Sequence, residues 1–462
     1  VVCRGTIVAE TGDNGYGNTD FRGVNLTVES GATVSPVNAG EGISLGDYAD
    51  VTIEQGGLVN QGISIYGSAV QIDVAGRIFS DQIEDLFVEP AGISIRDDSR
   101  TVVGDDPIKL IIRPTGEIET TAESAHAIDL FQRPLREGGS SLEPKNAFIT
   151  ADGTLQTTGG GASGIFARMG VSSLTTLNID IGGSIETSGD LSHGVHVEKN
   201  RVFSTDIPPV DHPPLDVLNL NIAGSIATSG LTSDGIVLDL SRNDITASVT
   251  VAEGGEVSAT GTDSNGITLV PRPERYRVYD DEASFPTDSL PIDVFVTLEQ
   301  GSRLYSAQGQ AISDFEGEME GQGHNLTLFV GGMIDVGNPA GVSVQMGNAA
   351  DTLILAPTYS IAGIVDGGTG EDMFVLGGEG EGTFDIGLVD MNGMAGASDR
   401  FVNFENFAKR GTGTWTLTGT TIDQFANGIS VEEGQLNLAS DLQGINFYLS
   451  GGSLGGSGRS GD

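Results

Sequence analysis

Residues 218–238 read LNLNIAGSIATSGLTSDGIVL, and this segment identifies the architecture because it recurs along the chain. Copies read LNIDIGGSIETSGDLSHGVHV at 177–197, SVTVAEGGEVSATGTDSNGITL at 248–269 and LTLFVGGMIDVGNPAGVSV at 326–344. Each copy has an alternating apolar run, a glycine corner, a short apolar strand, a Ser/Thr/Gly corner and a second apolar pair. Alternation places one row of side chains inside and the other outside. Corners repeated at a fixed offset predict coils that stack as a solenoid.

Glycines at the first corner extend the repeat along most of the chain. Their four longest intervals contain Pro-rich inserts at 96–107, 132–145, 199–216 and 271–292, and a shorter insert lies at 315–323. Without the four long inserts these intervals become 28, 23, 23 and 24 residues. One turn of a parallel β-helix takes roughly 20–30 residues, so the trimmed intervals each match one turn. The corner glycines are Gly31, Gly57, Gly76, Gly116, Gly153, Gly183, Gly224, Gly255, Gly301 and Gly332.

The composition favours the same architecture. The 462 residues include 69 glycines, and we find no long apolar stripes with the 3.6-residue period of helices. The sequence therefore predicts an all-β fold, an elongated right-handed parallel β-helix with loop insertions on one edge. We expect a single domain over 1–462, with insert-bearing coils in 1–350, Gly/Asp-rich coils in 351–410 and a separate repeat region in 411–462.

The charge balance restricts the partners. Asp and Glu number 64 against 22 Lys and Arg, which gives a net charge of −42. A nucleic-acid partner is not expected, because neutralising phosphates requires a basic surface. The acidic surface keeps exposed β-edges soluble and leaves room for divalent cations. No run of 18 apolar residues occurs, so the sequence predicts no membrane-spanning helix.

The C-terminal region carries a recognisable motif. GTGTWTLTG at 411–419, NGISVEEGQLNLAS at 427–440 and GGSLGGSGRSGD at 451–462 resemble the autotransporter-associated β-strand repeat. The opening VVCRGTIVAETGDNGYG is similar to the start of autotransporter passengers. The resemblance implies a bacterial type V secretion passenger, exported through the outer membrane to the cell surface or the extracellular space and anchored by a C-terminal β-barrel beyond this chain. The apolar residues expected to point inward are Trp415, Leu417, Val431, Leu436 and Leu438.

A single cysteine, Cys3, excludes a disulfide within the chain. We expect either a partner cysteine upstream of residue 1 in a longer precursor or a free thiol.

The inserts are the predicted binding edge. The four long inserts hold ten of the 22 basic residues in 66 of the 462 positions, and insertions at one corner of successive coils project from one edge of a solenoid. A surface rich in Arg and Tyr on an acidic scaffold fits recognition of a protein or an acidic glycan. The alternative is that loops simply tolerate polar insertions. The predicted ligand-binding residues are Arg133, Arg136, Arg201, Arg272, Arg275, Tyr276, Arg277 and Tyr279, and the other basic insert residues are Arg96, Arg100, Lys145 and Lys199.

Three functions are consistent with these patterns. The first is an adhesin or self-association module for aggregation or biofilm formation, which binds a host or bacterial surface protein or glycan, or itself. The second is a β-helical polysaccharide lyase or hydrolase with carboxylates in a groove. The third is a stalk that presents another domain. No catalytic residue is singled out, because motifs such as GGSLG at 451–455 lack the following helix and a nearby histidine. We therefore do not expect an enzyme.

One segment suggests calcium. DGGTGEDMFV at 366–375 matches the calcium-binding β-roll pattern, with Asp366 and Asp372 as oxygen ligands, and Asp351 lies about one coil earlier. Calcium needs six to eight oxygens, which β-rolls draw from several adjacent copies. A single good copy favours a plain turn in which Asp caps the corner, and no other cofactor is expected.

The HGVH segment contains two histidines, His193 and His196. Their spacing on a strand predicts opposite faces, which argues against a shared metal ion.

Overall fold

The structure, a computed structural model, describes residues 2–4, 6–9, 24–36, 43–67, 69–81, 91–97, 107–132, 146–169, 176–199, 216–240, 245–270, 292–314, 324–390, 400–420, 427–442 and 444–459. The chain divides into two compact units, one of residues 1–246 with 256–265 and one of residues 247–255 with 266–462. In each unit, short strands stack in parallel sheets and successive strands along the chain go to successive sheets. The predicted parallel β-helix is confirmed.

Strands are numbered β1 to β45 along the chain, and the first unit has three sheets. Its first sheet contains β1 (Val2–Cys3), β3 (Asn25–Val28), β6 (Asp50–Ile53), β9 (Gln71–Val74), β12 (Ile108–Ile112), β15 (Ala147–Ala151), β18 (Thr176–Ile181) and β21 (Asp216–Ile222). Its second sheet contains β2 (Thr6–Ala9), β4 (Thr33–Pro36), β7 (Leu58–Asn60), β10 (Arg77–Ser80), β13 (Glu117–Thr120), β16 (Thr154–Thr157), β19 (Ser184–Thr187), β22 (Ser225–Thr228) and β25 (Glu256–Ala259). Its third sheet contains β5 (Ile43–Leu45), β8 (Ile63–Tyr66), β11 (Ala91–Asp97), β14 (His126–Gln132), β17 (Ile165–Met169), β20 (Val195–Lys199) and β23 (Ile236–Leu240).

The second unit repeats this order and adds a fourth sheet. Its first sheet contains β24 (Ile245–Val251, from residue 247 onward), β27 (Ile292–Leu298), β30 (His324–Val330), β33 (Thr352–Leu355), β36 (Met373–Leu376), β40 (Asn406–Lys409), β42 (Ile429–Val431) and β44 (Phe447–Leu449). Its second sheet contains β28 (Arg303–Ser306), β31 (Met333–Val336) and β34 (Ser360–Ile361). Its third sheet contains β26 (Ile267–Val270), β29 (Ile312–Asp314), β32 (Val342–Gln345), β35 (Ile364–Asp366), β38 (Val389–Asp390) and β39 (Phe401–Val402), and its fourth sheet contains β37 (Glu381–Asp385), β41 (Thr414–Thr418), β43 (Gln435–Leu438) and β45 (Ser453–Gly456). A short 3-10 helix spans Ile386–Leu388.

The apolar alternation becomes an inner column of side chains. Ile185 is aligned with Ile226, and Ile226 with Val257, in adjacent strands of the first unit. All three side chains are fully buried. In the second unit Ile334, also buried, is aligned with Leu304. These side chains belong to the row that the alternation predicts to lie inside, and burial of apolar area in this column stabilises neighbouring coils.

The first corner needs glycine because adjacent coils approach closely there. A Cβ atom on Gly183 would lie 2.0 Å from the carbonyl oxygen of Gly153, and one on Gly224 would lie 2.0 Å from that of Gly183. The same carbonyl of Gly183 accepts a hydrogen bond from the Ser225 amide at 2.9 Å. Any larger residue would push the coils apart and break these bonds.

The second corner is held by hydroxyl groups, which explains its Ser and Thr residues. The Thr187 hydroxyl donates to the carbonyl of Ser192 at 2.7 Å and closes the turn. The hydroxyl of Ser233 accepts a hydrogen bond from the Ser192 amide at 3.0 Å, and that of Ser264 accepts from the Ser233 amide at 2.8 Å. At a corner, some backbone N–H and C=O groups have no partner in a β-sheet. The buried hydroxyls form hydrogen bonds with these groups instead.

The C-terminal residues expected to point inward lie in the core. Trp415, Leu417, Val431, Leu436 and Leu438 are all buried. The Trp415 indole nitrogen donates to the carbonyl of Gly377 at 2.9 Å, so the only polar group of this buried side chain has a hydrogen-bond partner.

Candidate functional site

In each unit the inserts leave the coils at the corner between the third and the first sheet, and we call this corner the insert edge. In the first unit, residues 133–145 join β14 to β15 and residues 200–215 join β20 to β21. In the second unit, residues 271–291 join β26 to β27 and residues 315–323 join β29 to β30. Each connection runs from a third-sheet strand to the following first-sheet strand, as does the connection from β11 to β12. The predicted common corner is confirmed, whereas the predicted insert bounds include a few residues at strand ends.

The residues predicted to bind a ligand lie outside the part of the chain that the structure describes, and their role stays a prediction. They are Arg133, Arg136, Arg201, Arg272, Arg275, Tyr276, Arg277 and Tyr279.

Beside the insert edge, the outer face of the third sheet in the first unit carries a cluster of planar and charged groups. The cluster is built on two columns of outward positions. In the first column, Asp129, Phe166 and His196 are aligned in β14, β17 and β20. Phe131 and Arg168 form the neighbouring column at the strand ends. We call this cluster the third-sheet patch, and its members are His126, Asp129, Phe131, Phe166, Arg168, His193, His196 and Glu198.

Arg168 is the centre of the third-sheet patch. Its guanidinium carbon lies 4.8 Å from the ring centroids of both Phe131 and Phe166. One guanidinium nitrogen lies 3.3 Å from an oxygen of Asp129, whose side chain is fully buried. Stacking between two rings and pairing with a buried carboxylate fix the guanidinium in place. The patch therefore holds the partly exposed Arg168 guanidinium between two aromatic rings and against a buried carboxylate.

Three histidines extend the stack. The His126 and His196 ring centroids lie 4.6 and 4.9 Å from that of Phe166, and the His193 and His196 rings are 5.3 Å apart. Nδ1 of His126 accepts a hydrogen bond from the Ser163 amide at 2.9 Å. Nδ1 of His193 accepts one from the Asp234 amide at 3.1 Å. Both rings are therefore neutral, with the proton on Nε2.

Burial lowers the pKa of His193, and it lowers that of His196 to about 3, with the nearby His193, His126 and Arg168 adding to the shift at His196. Protonation of His193 and His196 in acid would therefore destabilise the packing of these rings.

The prediction that His193 and His196 face opposite sides is wrong. β20 begins at Val195, so His193 lies in the preceding corner and does not follow the alternation of the strand. The corner turns its ring towards that of His196. The rule for side-chain alternation applies only within the strand.

Lys199 does not belong to an insert. The sequence places it among the basic residues of the inserts, but it ends β20 and its side chain is fully buried. Its ammonium group pairs with the carboxylate of Asp216, which begins β21. Lys199 is aligned with Met169 and Leu240 of the adjacent coils, so it occupies an inner position of the column.

The residues proposed for calcium divide into two sets. Asp351 and Asp372 lie on adjacent coils, as predicted, because β33 and β36 pair with Thr352 aligned to Met373. Asp366 lies on the third sheet, where one oxygen accepts from the Gly368 amide at 2.9 Å and from the side-chain nitrogen of Asn403 at 2.7 Å. Among the described residues, no three or more His, Cys, Asp or Glu side chains are arranged to hold a metal ion.

Asp351 and Asp372 belong to an inner ladder of carboxyl groups, which we call the acid column. The Leu326 amide donates to Asp351 at 2.7 Å, and the Asp351 amide donates to Asp372 at 2.8 Å. The Asp372 amide in turn donates to Glu405 at 2.7 Å. Each carboxyl group therefore caps the backbone of the preceding coil, which agrees with the expectation that Asp caps the corner.

Burial raises the pKa values of two groups in the column. That of Asp351 is raised to about 9, chiefly by burial and further by Asp372 and Asp314, while its hydrogen bond from Leu326 opposes the shift. The pKa of Asp372 is raised to about 7, chiefly by burial and further by Glu405, Asp366 and Glu371. Both groups hold protons more tightly than an exposed aspartate does.

A buried pair lies near the acid column. Asp314 ends β29, and one of its oxygens lies 2.9 Å from Nδ1 of His324, which begins β30. Both side chains are almost fully buried. Burial raises the pKa of Asp314, and the hydrogen bond with His324 opposes this shift.

Sequence reasoning missed the third-sheet patch and the Asp314–His324 pair. A signal for the patch was present, because Asp129, Phe166 and His196 share one position of the repeat. Large or charged groups at an outward position recurring on consecutive coils indicate a surface column. The Asp314–His324 pair had no such signal, since its partners flank an insert.

Comparison of the chain with protein-family models, with curated proteins and with solved structures found no match. Within the described residues, no helix has the length and apolar composition needed to cross a membrane.

Proposed function

We propose that this chain is the displayed part of a bacterial autotransporter and acts as an adhesin or self-association module that binds through the insert edge. The observation that carries the proposal is the common corner of the inserts. Each insert follows the end of a third-sheet strand, so the points at which the inserts join the coils recur at the same corner within each unit. A solenoid that gathers its insertions on one edge offers an extended surface for a partner.

The third-sheet patch supports this proposal in the first unit. Phe131 lies near the end of β14, which is joined to residues 133–145, and Arg168 is aligned with Phe131 in β17. Aromatic and guanidinium groups contribute most of the binding energy in many protein interfaces, particularly where they are held rigidly. A partner that contacts the inserts would also reach this patch.

Basic residues are more frequent in the four long inserts than elsewhere, although these inserts are not basic overall. They hold ten of the 22 Lys and Arg residues together with 14 of the 64 Asp and Glu residues, which leaves a net charge of −4. One of the ten, Lys199, is buried against Asp216. Binding of an acidic protein or glycan would therefore depend on individual arginines, such as Arg272, Arg275 and Arg277, rather than on a basic surface.

The test is deletion of residues 271–291 with closure by a short Gly/Ser turn. The deletion stops at 291 because Ile292 is buried in β27. Beads coated with the purified chain should aggregate and should adhere to cultured cells, and the deletion should reduce both activities while leaving the circular dichroism spectrum and melting temperature unchanged. Glu186→Lys, on the exposed face of β19, is the control that adds a positive charge away from the inserts.

If the deletion variant folds normally and adheres as well as the parent, residues 271–291 do not contribute to binding. If deletion of 200–215, which should lower adhesion in the same way, also has no effect, the proposal is wrong.

A further inference from the structure

The acid column contains carboxyl oxygens that the backbone does not use. In Asp351 and Asp372, Oδ1 accepts an amide hydrogen, whereas Oδ2 is buried without a hydrogen-bond partner. The two side chains are at most 1% exposed. A buried carboxylate oxygen without a donor from the protein is costly, since an ion loses its hydration without compensation. A bound proton removes the charge and so lowers that cost.

The charged groups around the column favour protonation as well. Asp351 faces Asp372 from the coil that follows and Asp314 from β29. Asp372 faces Glu405, Asp366 and the adjacent Glu371.

His324, which begins β30, is hydrogen-bonded through Nδ1 to Asp314 at 2.9 Å. Like charges in a low-dielectric interior oppose ionisation, so the surroundings on each side favour the neutral acid.

We propose that Asp351 and Asp372 form a proton-operated latch that holds the starts of β30, β33 and β36 together and opens when the protons leave. In the closed state each carboxyl group is neutral and its Oδ1 accepts the amide hydrogen of the preceding coil. Release of the proton to water leaves a carboxylate beside other carboxylates, and the strand starts separate so that water reaches the charge. No co-reactant is needed, because the only chemical change is the transfer of a proton to solvent.

The latch lies at the base of an insert. β30 begins at His324, directly after residues 315–323, and the Leu326 amide is the donor to Asp351. Opening of the latch would therefore release the strand start to which that insert is joined. The pH of the surroundings would control how firmly this part of the insert edge is held.

The direction of the effect follows from linkage. The raised pKa values of Asp351 and Asp372, about 9 and about 7, mean that the closed state binds more protons than an open state in which an aspartate titrates near 3.9. The latch is fully stable in acid and loses stability as the pH rises towards 9. For one such group the opening equilibrium constant rises by up to about tenfold per pH unit.

Hydrogen exchange of the Leu326 and Asp351 amides, divided by the intrinsic exchange rate at each pH, tests this proposal. We expect the Leu326 opening constant of the parent to rise by up to about tenfold per pH unit from pH 5 to 9. Asp351→Asn keeps an acceptor oxygen but has no proton to lose, so its Leu326 opening constant should be constant between pH 7 and 9. Asp293→Asn, on the exposed face of β27, should keep the slope of the parent.

A second measurement does not depend on a variant. In the parent chain labelled with carboxyl-¹³C aspartate, the Asp351 resonance should titrate far above the range of exposed aspartates. A titration below pH 5 would contradict the proposal, as would an Asp351→Asn variant with the slope of the parent. Protection that increases with added Ca²⁺ and vanishes in Asp351→Asn would show that a cation, not a proton, occupies the site and would also overturn the latch.

Discussion

Lys199 and Asp216 form a buried ion pair at the two ends of residues 200–215. Lys199 is the last residue of β20, Asp216 is the first of β21, and both side chains are at most 4% exposed. The equivalent of Lys199 is Met169 in the coil before it and Leu240 in the coil after it. A charged residue, Lys199, therefore occupies a position of the inner column that is apolar in the adjacent coils. Its partner Asp216 lies at the other end of the same insert.

We predict a strong coupling between these two residues. Lys199→Met should lower the free energy of unfolding by about 3–5 kcal/mol, because it leaves the Asp216 carboxylate buried without its cation. The double variant Lys199→Met, Asp216→Asn should recover most of this loss, since apolar residues fill the equivalent positions next to Lys199. Urea denaturation of the parent, both single variants and the double variant gives the coupling energy. Additive losses in the double variant would show that the pair does not act as a unit.

The inner column gives a prediction for stability. Ile226→Asp buries a carboxylate between Ile185 and Val257 and should lower the free energy of unfolding by several kcal/mol, roughly the penalty for an unpaired buried polar group. Its neighbour Ala227 faces outward, so Ala227→Asp should change the stability by less than about 0.5 kcal/mol. Equal melting temperatures for these two variants would mean that the assigned register is wrong.

The third-sheet patch predicts loss of stability in acid. The lowered pKa values of His193 and His196, the latter about 3, mean that an unfolded chain takes up protons near pH 6.5 while the folded chain does not. Stability from His196 is therefore present above pH 6.5 and declines as the pH falls to about 3, by at most about 1.4 kcal/mol per pH unit. Phe166 occupies the aligned position in the coil before it, so His196→Phe should be accommodated and should reduce this acid dependence. Urea denaturation at pH 4, 5, 6 and 7 measures the free energy of unfolding of both proteins. If its dependence on pH is the same in His196→Phe as in the parent, groups other than His196 cause the loss of stability in acid.

The acid column leads to a prediction for calcium. One oxygen of Asp372 is already used by the Asp351 amide, and the described residues include no group of three or more ligand side chains arranged for a metal. Millimolar Ca²⁺ should therefore change the melting temperature only as much as an equal ionic strength of NaCl does. A saturable increase with Ca²⁺ that Asp372→Ala abolishes would contradict this expectation.

The repeat was enough to predict the scaffold, and the particular residues show why. Ile226 could be placed inside because apolar alternation and a glycine corner recur together, and both reflect the packing of one coil on the next. His193 was misplaced because the strand starts two residues after it, and strand boundaries are the least determined part of such a pattern. The burial of Lys199 could not be predicted. A lysine is buried only where it has a partner, and no local sequence pattern reveals that Asp216, at the far end of the insert, is that partner.

Binding through the insert edge is the central claim, and charge reversal at Arg272, Arg275 and Arg277 tests it most directly. Bead aggregation and adhesion of the triple Arg→Glu variant should be measured against the parent at low and at high NaCl concentration. The account predicts normal folding, a large loss of adhesion at low salt and a smaller difference at high salt, because exposed charges are screened. A folded variant that adheres as strongly as the parent at low salt would contradict the claim for this insert.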